Sequence, residues 1–406
     1  MDYSELILWV TVTFPLLFLI FTTFILLRNA LDFTTLPETS DASEADSTKT
    51  NPPLHISVCI PARNEEPNIE ACLSSVINQQ YPSYEVLALD DQSEDCTGEI
   101  IRTIAEANPN VRQLSGNDRP SGWLGKPWAC RQLADHATGD ILLFLDADCR
   151  LEPGTLDRVN TAFSTDQSDV ITIWPKQILL TFWEQVVVPA IYYALLSLLP
   201  AAYVRRKPRW LPRLLDPKTR HWFAAACGQF LAFKKDVYHA IGTHEAVKNE
   251  VVEDMGLARK VKQAGYTLRM YNGADSISCR MYTSQNEMFE GFRKNFFAGF
   301  NHRTALFVFF GVIHAWVYLL PVAFFPVTLA TGSPQLIMVL PALILIALHR
   351  LLLSMIFEWP LKYFWVQPLA VLWFLRLSIT TLVDYHKSRQ VYWKNRKISA
   401  DPVDKD

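Results

Sequence analysis

Apolar and polar positions along this chain follow distinct rhythms, and each rhythm marks a different kind of segment. Residues 6–27, LILWVTVTFPLLFLIFTTFILL, form an uncharged apolar run long enough to cross a bilayer as one helix. From His55 the pattern changes to short apolar strands separated by stretches of helical spacing. ISVCIP (56–61), VLAL (86–89), DILLFLDAD (140–148) and VITIW (170–174) read as strands. Ile69, Cys72, Leu73, Val76 and Ile77 repeat at helical intervals after the first strand, and Ile100, Ile101, Ile104 and Ala105 do so after the second. Apolar strands alternating with helices predict an α/β domain with a mostly parallel sheet covered on both faces. Beyond residue 304 long apolar runs return at 305–330, 335–357 and 361–383, the last weakened by Lys362 and Arg376.

The pattern divides the chain into an N-terminal transmembrane anchor (1–30), a linker (31–54), an α/β domain (55–300), a C-terminal transmembrane region (301–385) and a tail (386–406), basic and then acidic. A cleavable signal needs a basic start and a small-x-small cleavage site. Asp2 and Glu5 stand at the start instead, which favours an anchor. Arg28 at the end of the first run places the N-terminus outside and the α/β domain in the cytoplasm. Arg303 and Arg350 stand near the cytoplasmic ends of the next two runs. Lys387, Arg389, Lys394, Arg396 and Lys397 put the tail inside by the same rule, whereas an anchor plus three spans would carry it outside. Either the last run is interfacial or re-entrant, or the charge rule fails there.

Two further segments stand apart. Residues 34–53 are polar, acidic and rich in Ser, Thr and Pro, a flexible tether with nothing to bury. Residues 178–204 are apolar but interrupted by Glu184 and Pro189, and Arg205, Arg206, Lys207, Arg209 and Arg213 follow around Trp210. An amphipathic segment lying in the headgroup layer near 178–213 is the expectation; a buried helix pair with a solvated basic loop is the alternative.

Composition agrees with a membrane-embedded protein. Of 406 residues 50% are hydrophobic, although 19% are charged. A net charge of −3 offers no whole-chain sign of a nucleic-acid partner. The seven cysteines form no C-x-x-C pair and no Cys/His zinc spacing. Cys59, Cys72 and Cys149 fall on apolar strand or helix positions and read as reduced core residues, as in a cytosolic domain.

Candidate chemistry lies where ligands bind in such sheets, beyond the carboxyl ends of the strands. The first strand ends in Pro61-Ala62-Arg63-Asn64-Glu65-Glu66, the second in Asp90-Asp91-Gln92-Ser93 and the third in Asp146-Ala147-Asp148. One such cluster is often only a turn or helix cap. Successive acidic strand ends repel one another unless a cation or a donor-rich ligand sits between them. Two carboxylates two residues apart suit a hard divalent ion that keeps positions open for a diphosphate. Lys126, in G-W-L-G-K-P (122–127), adds positive charge near such phosphates or is an exposed loop lysine. Asp254, Leu257, Ala258 and Val261 share a helical face that ends at Gly265, a C-cap, so the carboxylate points inward near a helix start. An acid there can also be a mere macrodipole partner. Gly228-Gln229 offers close approach and an amide to a sugar, or simple close packing.

The order P-x-R-N-E, D-D-x-S, G-K, L-D-A-D and V-E-D-M resembles the family 2 glycosyltransferases over roughly residues 55–300. Within them, G-W-L-G-K-P-W-A-C, A-A-C-G-Q-F, V-V-E-D and G-F-R-K-N resemble the branch that glycosylates isoprenoid lipids such as carotenoids and hopanoids. The resemblance implies a GT-A fold flanked by transmembrane helices. It implies an inverting enzyme that uses Mg²⁺ or Mn²⁺ and a nucleotide-sugar, with UDP-sugar the family-level expectation, to modify a membrane lipid. It assigns Pro61, Arg63, Asn64, Glu65 and one or both of Asp90 and Asp91 to base and ribose recognition, and Asp146 and Asp148 to the nucleotide diphosphate. Asp146 and Asp148 become the metal carboxylates, and Glu253-Asp254 the catalytic pair with Asp254 as general base. The chain lacks the Q-x-x-R-W of many membrane members, which argues against a processive polysaccharide synthase. Arg293 or Lys294, in the corresponding stretch, would contact the diphosphate or an anionic acceptor, or snorkel. The remaining alternative is a non-catalytic membrane scaffold that retains the fold.

Overall fold

The computed structural model describes residues 3–38, 52–206, 208, 219–387, 391–393 and 396–398. The chain divides into two compact units. One comprises Phe33–Ile178 and Ala201–Met281; the other collects Met1–Asp32, Leu179–Pro200 and Tyr282–Ala400. In chain order the longer helices are α1 (Tyr3–Asp32), α2 (Ile69–Ile77), α3 (Thr97–Ala107), α4 (Gly125–His136), α5 (Thr155–Thr165) and α6 (Phe182–Leu198). Then follow α7 (Glu253–Ala264), α8 (Gln285–Phe296), α9 (Thr304–Thr331), α10 (Leu336–Ile356) and α11 (Gln367–His386).

The first unit is built on an eight-stranded sheet: β1 (Ile56–Ala62), β2 (Tyr84–Asp90), β3 (Val111–Ser115), β4 (Ile141–Leu145), β5 (Cys149–Leu151), β6 (Val170–Gln177), β7 (Phe230–Lys234) and β8 (Leu268–Cys279). The spatial order is β3-β2-β1-β4-β7-β6-β8-β5. From β3 to β4 every pairing is parallel, with Val58 opposite Val86 on one side and Leu143 on the other. These strands read as continuous apolar runs because both faces are covered, and Val58, Ile60, Leu143 and Leu145 are wholly buried. The expected parallel sheet describes this half only. β7 is antiparallel to both β4 and β6. VITIW, expected as the fourth strand, lies in β6, parallel to β8 and separated from β4 by β7.

This unit begins at Phe33, well before the boundary expected at residue 55. The Asn272 amide of β8 donates to the Thr34 carbonyl at 2.8 Å, and Thr35 forms a parallel bridge with Asn272. The buried Arg158 guanidinium reaches the Leu36 carbonyl at 2.5 Å, and Leu36 is only 2% exposed. Residues 33–38 of the expected flexible tether therefore belong to the packed sheet; residues 39–51 lie outside the described residues.

In the other unit α1, α9, α10 and α11 each contain a helix of 20 to 28 residues apolar enough to cross a membrane. The weakest run of the sequence is thus a helix of spanning length like the others. Helix α6 departs from the expected headgroup-layer segment. Eleven of its side chains, from Glu184 to Ser197, are buried within the protein, which matches the buried-helix alternative instead. Lys207, Arg209, Trp210 and Arg213 of the basic run lie outside the described residues, as do Arg389, Lys394 and 399–406 of the tail.

Polar groups inside this unit are matched to partners. The Asn29 amide caps the end of α6, donating to the Leu196 and Leu199 carbonyls at 2.7 Å each. Pro189 within α6 has no N–H, so the Gln185 carbonyl loses its intrahelical donor. The fully buried Arg350 guanidinium of α10 takes the place of that donor, bonding the Gln185 carbonyl and, at 3.2 Å, the Gln367 side chain of α11. Without Arg350 an apolar bundle would hold an unsatisfied carbonyl, at a cost of about 1–3 kcal/mol. Arg350→Met should therefore lower the thermal midpoint of detergent-solubilised protein, and should do so less in a Pro189→Ala background, where residue 189 regains its N–H. Equal losses in both backgrounds would contradict this account.

Candidate functional site

The acidic strand ends meet because β1, β2 and β4 are parallel and in register. Ala62 lies opposite Asp90, and Cys59 opposite Phe144, so the chain leaves all three strands on one edge of the sheet. After β4, the Cys149 amide donates to the Asp146 carbonyl at 3.1 Å and closes a tight turn over Asp146-Ala147-Asp148. The Asp146 amide bonds the Gln229 carbonyl at 3.2 Å. The antiparallel entry of β7 thereby sets Gly228-Gln229 beside the carboxylates.

Two groups of side chains form on this edge. In the first, the loops after β1 and β2 hold each other. Arg63 donates to the Asp91 and Gln92 carbonyls and pairs with Glu94 at 3.0 Å. The Asn64 amide bonds Ser93 Oγ at 3.0 Å, Ser93 N bonds Asp90 Oδ1 at 3.1 Å, and Glu65 N bonds Thr97 Oγ1 at 2.7 Å. Asn64 and Gln92 both adopt positive φ, 50° and 56°. Pro61 sits inside β1, opposite Leu89, and Asp91 is buried. Arg63 thus serves as the clasp between two loops. Sequence reasoning passed over Gly98 and Gly116. A Cβ on Gly98 would stand 2.6 Å from Asp90 Oδ2, and one on Gly116 would meet Asp90 O at 3.1 Å, so both positions hold Asp90 closely. A glycine in the first turn of a helix was the available signal for Gly98.

The second group is a charge cluster. Lys126, in the first turn of α4, places its ammonium 2.6 Å from Asp146 Oδ1, 3.1 Å from Glu253 Oε1 and 3.5 Å from the Gly228 carbonyl. Burial works against that charge, yet Asp146 and Glu253 hold the ammonium well above the usual lysine range. Asp254, at the start of α7, accepts from Gly228 N and from Met255 N at 2.7 Å each. Leu257, Ala258 and Val261 bury the expected face, and Gly265 (φ 87°) is the C-cap. Burial, then Glu253, pushes the Asp254 carboxyl up to about 6. Gly228 packs closely on both charged groups: a Cβ there would lie 3.1 Å from Asp254 Oδ2 and 3.3 Å from Lys126 Nζ, so a larger residue would press on both side chains.

Asp148 joins the two groups. Burial, then Asp146 and Glu65, raises its carboxyl to about 6. A hard divalent cation beside Asp146 would relieve the charge that opposes ionisation of Asp148, so the two carboxylates fit such an ion. Asp148, Cys149 and Cys279 also bring three donor atoms within 4.8 Å. Burial lifts both thiols above the usual cysteine range, which leaves the carboxylates as the hard ligands. The Gln229 amide does not face a ligand: it bonds Cys279 Sγ at 2.7 Å and accepts from Gln177 at 2.9 Å, and is buried. Close packing, the second reading of that residue, is what the structure contains. In the other unit, Arg293 pairs with Glu290 at 2.8 Å and Asp384 at 3.0 Å.

Comparison with known proteins agrees with this architecture. Residues 57–190 match the family described as Glycosyl transferase family 2, and the chain carries a domain of that family on a GT-A fold. Over 247 residues it is 26% identical to a 4,4'-diaponeurosporenoate glycosyltransferase of Staphylococcus haemolyticus, and 25% identical to one of Staphylococcus aureus. Each match covers 60% of this chain and 61% of the relative's length. A mannosyltransferase from Pyrobaculum calidifontis, solved in complex with GDP-Man and Mn²⁺, shares the fold with a TM-score of 0.53 at 18% identity, over 93% of this chain and 98% of that one.

A raised carboxyl pKa has a stability consequence. Below the unfolded value near 4 the neutral forms of Asp148 and Asp254 are common to both states; as pH rises through about 6 the folded state must bear unfavourable charges. Asp148→Asn and Asp254→Asn should each stabilise the metal-free protein at pH 8, by up to about 3 kcal/mol. The gain should fade as pH falls from 6 towards 4, in thermal unfolding read at both ends. Variants less stable than the parent at pH 8 would contradict the electrostatic account.

Proposed function

We propose that this protein is an inverting, metal-dependent glycosyltransferase. It moves a sugar from a nucleotide-sugar, a UDP-sugar by family expectation, to an isoprenoid-type membrane lipid at the cytoplasmic face. The observation that carries the proposal is the convergence of Lys126, Asp146, Glu253 and Asp254 around Gly228 at the carboxyl edge of a GT-A sheet. The names of the Staphylococcus relatives support an isoprenoid acceptor, and the bound GDP-Man and Mn²⁺ of the Pyrobaculum protein support a nucleotide-sugar and a metal. Four apolar helices support a membrane location, and Arg28 supports the cytoplasmic side.

In this reading the first group of loops, with Asn64, Glu65, Asp90 and Asp91, receives the base and ribose. Asp146 and Asp148 would hold a divalent cation, which supplies Lewis-acid neutralisation of the departing diphosphate. Asp254 takes the proton of the acceptor hydroxyl as that oxygen forms its bond to the anomeric carbon. The bond from that carbon to the diphosphate oxygen breaks, and its electron pair leaves with the nucleoside diphosphate. One displacement inverts the configuration. The two backbone N–H bonds hold Asp254 in place, and its raised pKa keeps it a useful base near neutrality. Glu253, anchored to Lys126, orients that start of α7.

Detergent-solubilised protein, assayed with labelled UDP- and GDP-sugars and isoprenoid lipids, should place label in the lipid phase, and EDTA should abolish this. Asp254→Asn should lower turnover about 10²- to 10⁴-fold, and Asp148→Ala should remove the metal response. Because Asp254 acts ionised, kcat/KM of the parent should rise with pH through about 6. Label in long polymer would favour a polysaccharide synthase. Full transfer by Asp254→Asn would remove the proposed base, and failure to bind any donor would overturn the proposal as a whole.

A further inference from the structure

The position of Lys126 has a second consequence, which rests on the metal-dependent reading above. A lysine in the first turn of a helix faces the positive end of the helix dipole, an unfavourable place for an ammonium. Here the neighbouring acids offset that penalty. Lys126 Nζ touches Asp146 Oδ1 at 2.6 Å and Glu253 Oε1 at 3.1 Å, so it stands on one of the two carboxylates that fit a divalent ion. Its side chain is 37% exposed, which leaves a path for a flexible chain to move outward. Ammonium and dication on one carboxylate repel each other unless further negative charge arrives between them. A nucleoside diphosphate brings such charge to the open side of the site.

We propose that Lys126 is a resident counter-ion that competes with the divalent cation for Asp146 and moves to the diphosphate when the donor binds. Metal and donor are thereby coupled. Metal binding is weak in the bare site and tight in the donor complex, and Asp146 keeps a cation beside it in both states. By reciprocity, the metal tightens the nucleotide by the same factor. Glu253 is the second contact of the resting position and the anchor from which the lysine departs.

The test measures Mn²⁺ binding to purified full-length protein in detergent by the paramagnetic resonance of free ion. It is run alone and with UDP or GDP, corrected for Mn²⁺ held by free nucleotide. In the parent, one of the nucleotides should tighten Mn²⁺ about tenfold or more. Lys126→Met should bind Mn²⁺ about tenfold tighter than the parent without nucleotide, and its nucleotide effect should shrink towards unity. Lys126→Arg, which keeps the charge, should resemble the parent; thermal unfolding checks that each variant is folded. Should Lys126→Met fail to fold, Lys126→Gln, which also removes the charge, takes its place with the same expected outcomes. Equal Mn²⁺ affinity with and without nucleotide in the parent overturns the coupling, as does unchanged or weaker affinity in folded Lys126→Met. Both outcomes leave the metal-dependent reading intact. Absence of Mn²⁺ binding under every condition overturns that reading and this inference with it.

Discussion

The site depends on one balance of charge: the ammonium of Lys126 among carboxylates that the fold forces together. Parallel strands ending on one edge deliver Asp146 and Asp148; the start of α7 delivers Glu253 and Asp254. Each acid was assembled by backbone geometry that takes no account of repulsion. Asp148 and Asp254 carry the consequence as raised pKa values. Lys126 ties the strand edge to the helix start through Asp146 and Glu253, while the Gly228 amide fixes Asp254 on the same centre. Such strain persists because the surrounding hydrogen bonds over-determine it, as is usual where a ligand supplies the missing charge.

The helical unit obeys a parallel constraint with different chemistry. There the difficulty is a backbone acceptor without a donor in apolar surroundings, and a side chain answers it. Pro189 frees the Gln185 carbonyl and Arg350 meets it; α6 ends and Asn29 caps it. His349 is held on both ring nitrogens, by Thr23 and by Tyr193, each at 2.5 Å. Polar residues in the long apolar runs are therefore structural joints between α1, α6, α10 and α11. Arg350 illustrates the point: read along the chain it is a flanking charge, and in the fold it is a buried donor.

Much of this was legible in the sequence. Apolar runs fixed β1, β2 and β4, because strands buried on both faces must be apolar throughout. Helical spacing fixed α2 and α3, and the run from Asp254 to Gly265 fixed α7 with its cap, because local geometry alone governs those patterns. The meeting of the acidic strand ends was legible too, since parallel strands bring their carboxyl ends to one edge whatever the loops contain. Length and hydropathy marked three of the four helices apolar enough to cross a membrane, and left the last run open.

What the sequence left open was decided by partners distant along the chain. The antiparallel place of β7 between β4 and β6 is a matter of pairing, and neither strand's composition encodes its neighbour. That pairing turned Gln229 inward to Cys279 and Gln177 and brought Gly228 to Asp254. Arg63 reads as a ligand residue and became a loop clasp because the carbonyls of Asp91 and Gln92 lie next to it only in the fold. Residues 33–38 look like tether, yet the edge of β8 and Arg158 order them. Likewise α6, whose Glu184 and Pro189 suggested a surface segment, is buried because Thr181 and Arg350 satisfy what those residues disturb. Periodicity reports the needs of a segment with itself and with solvent; the side chain that meets a particular polar atom is fixed by tertiary contact alone.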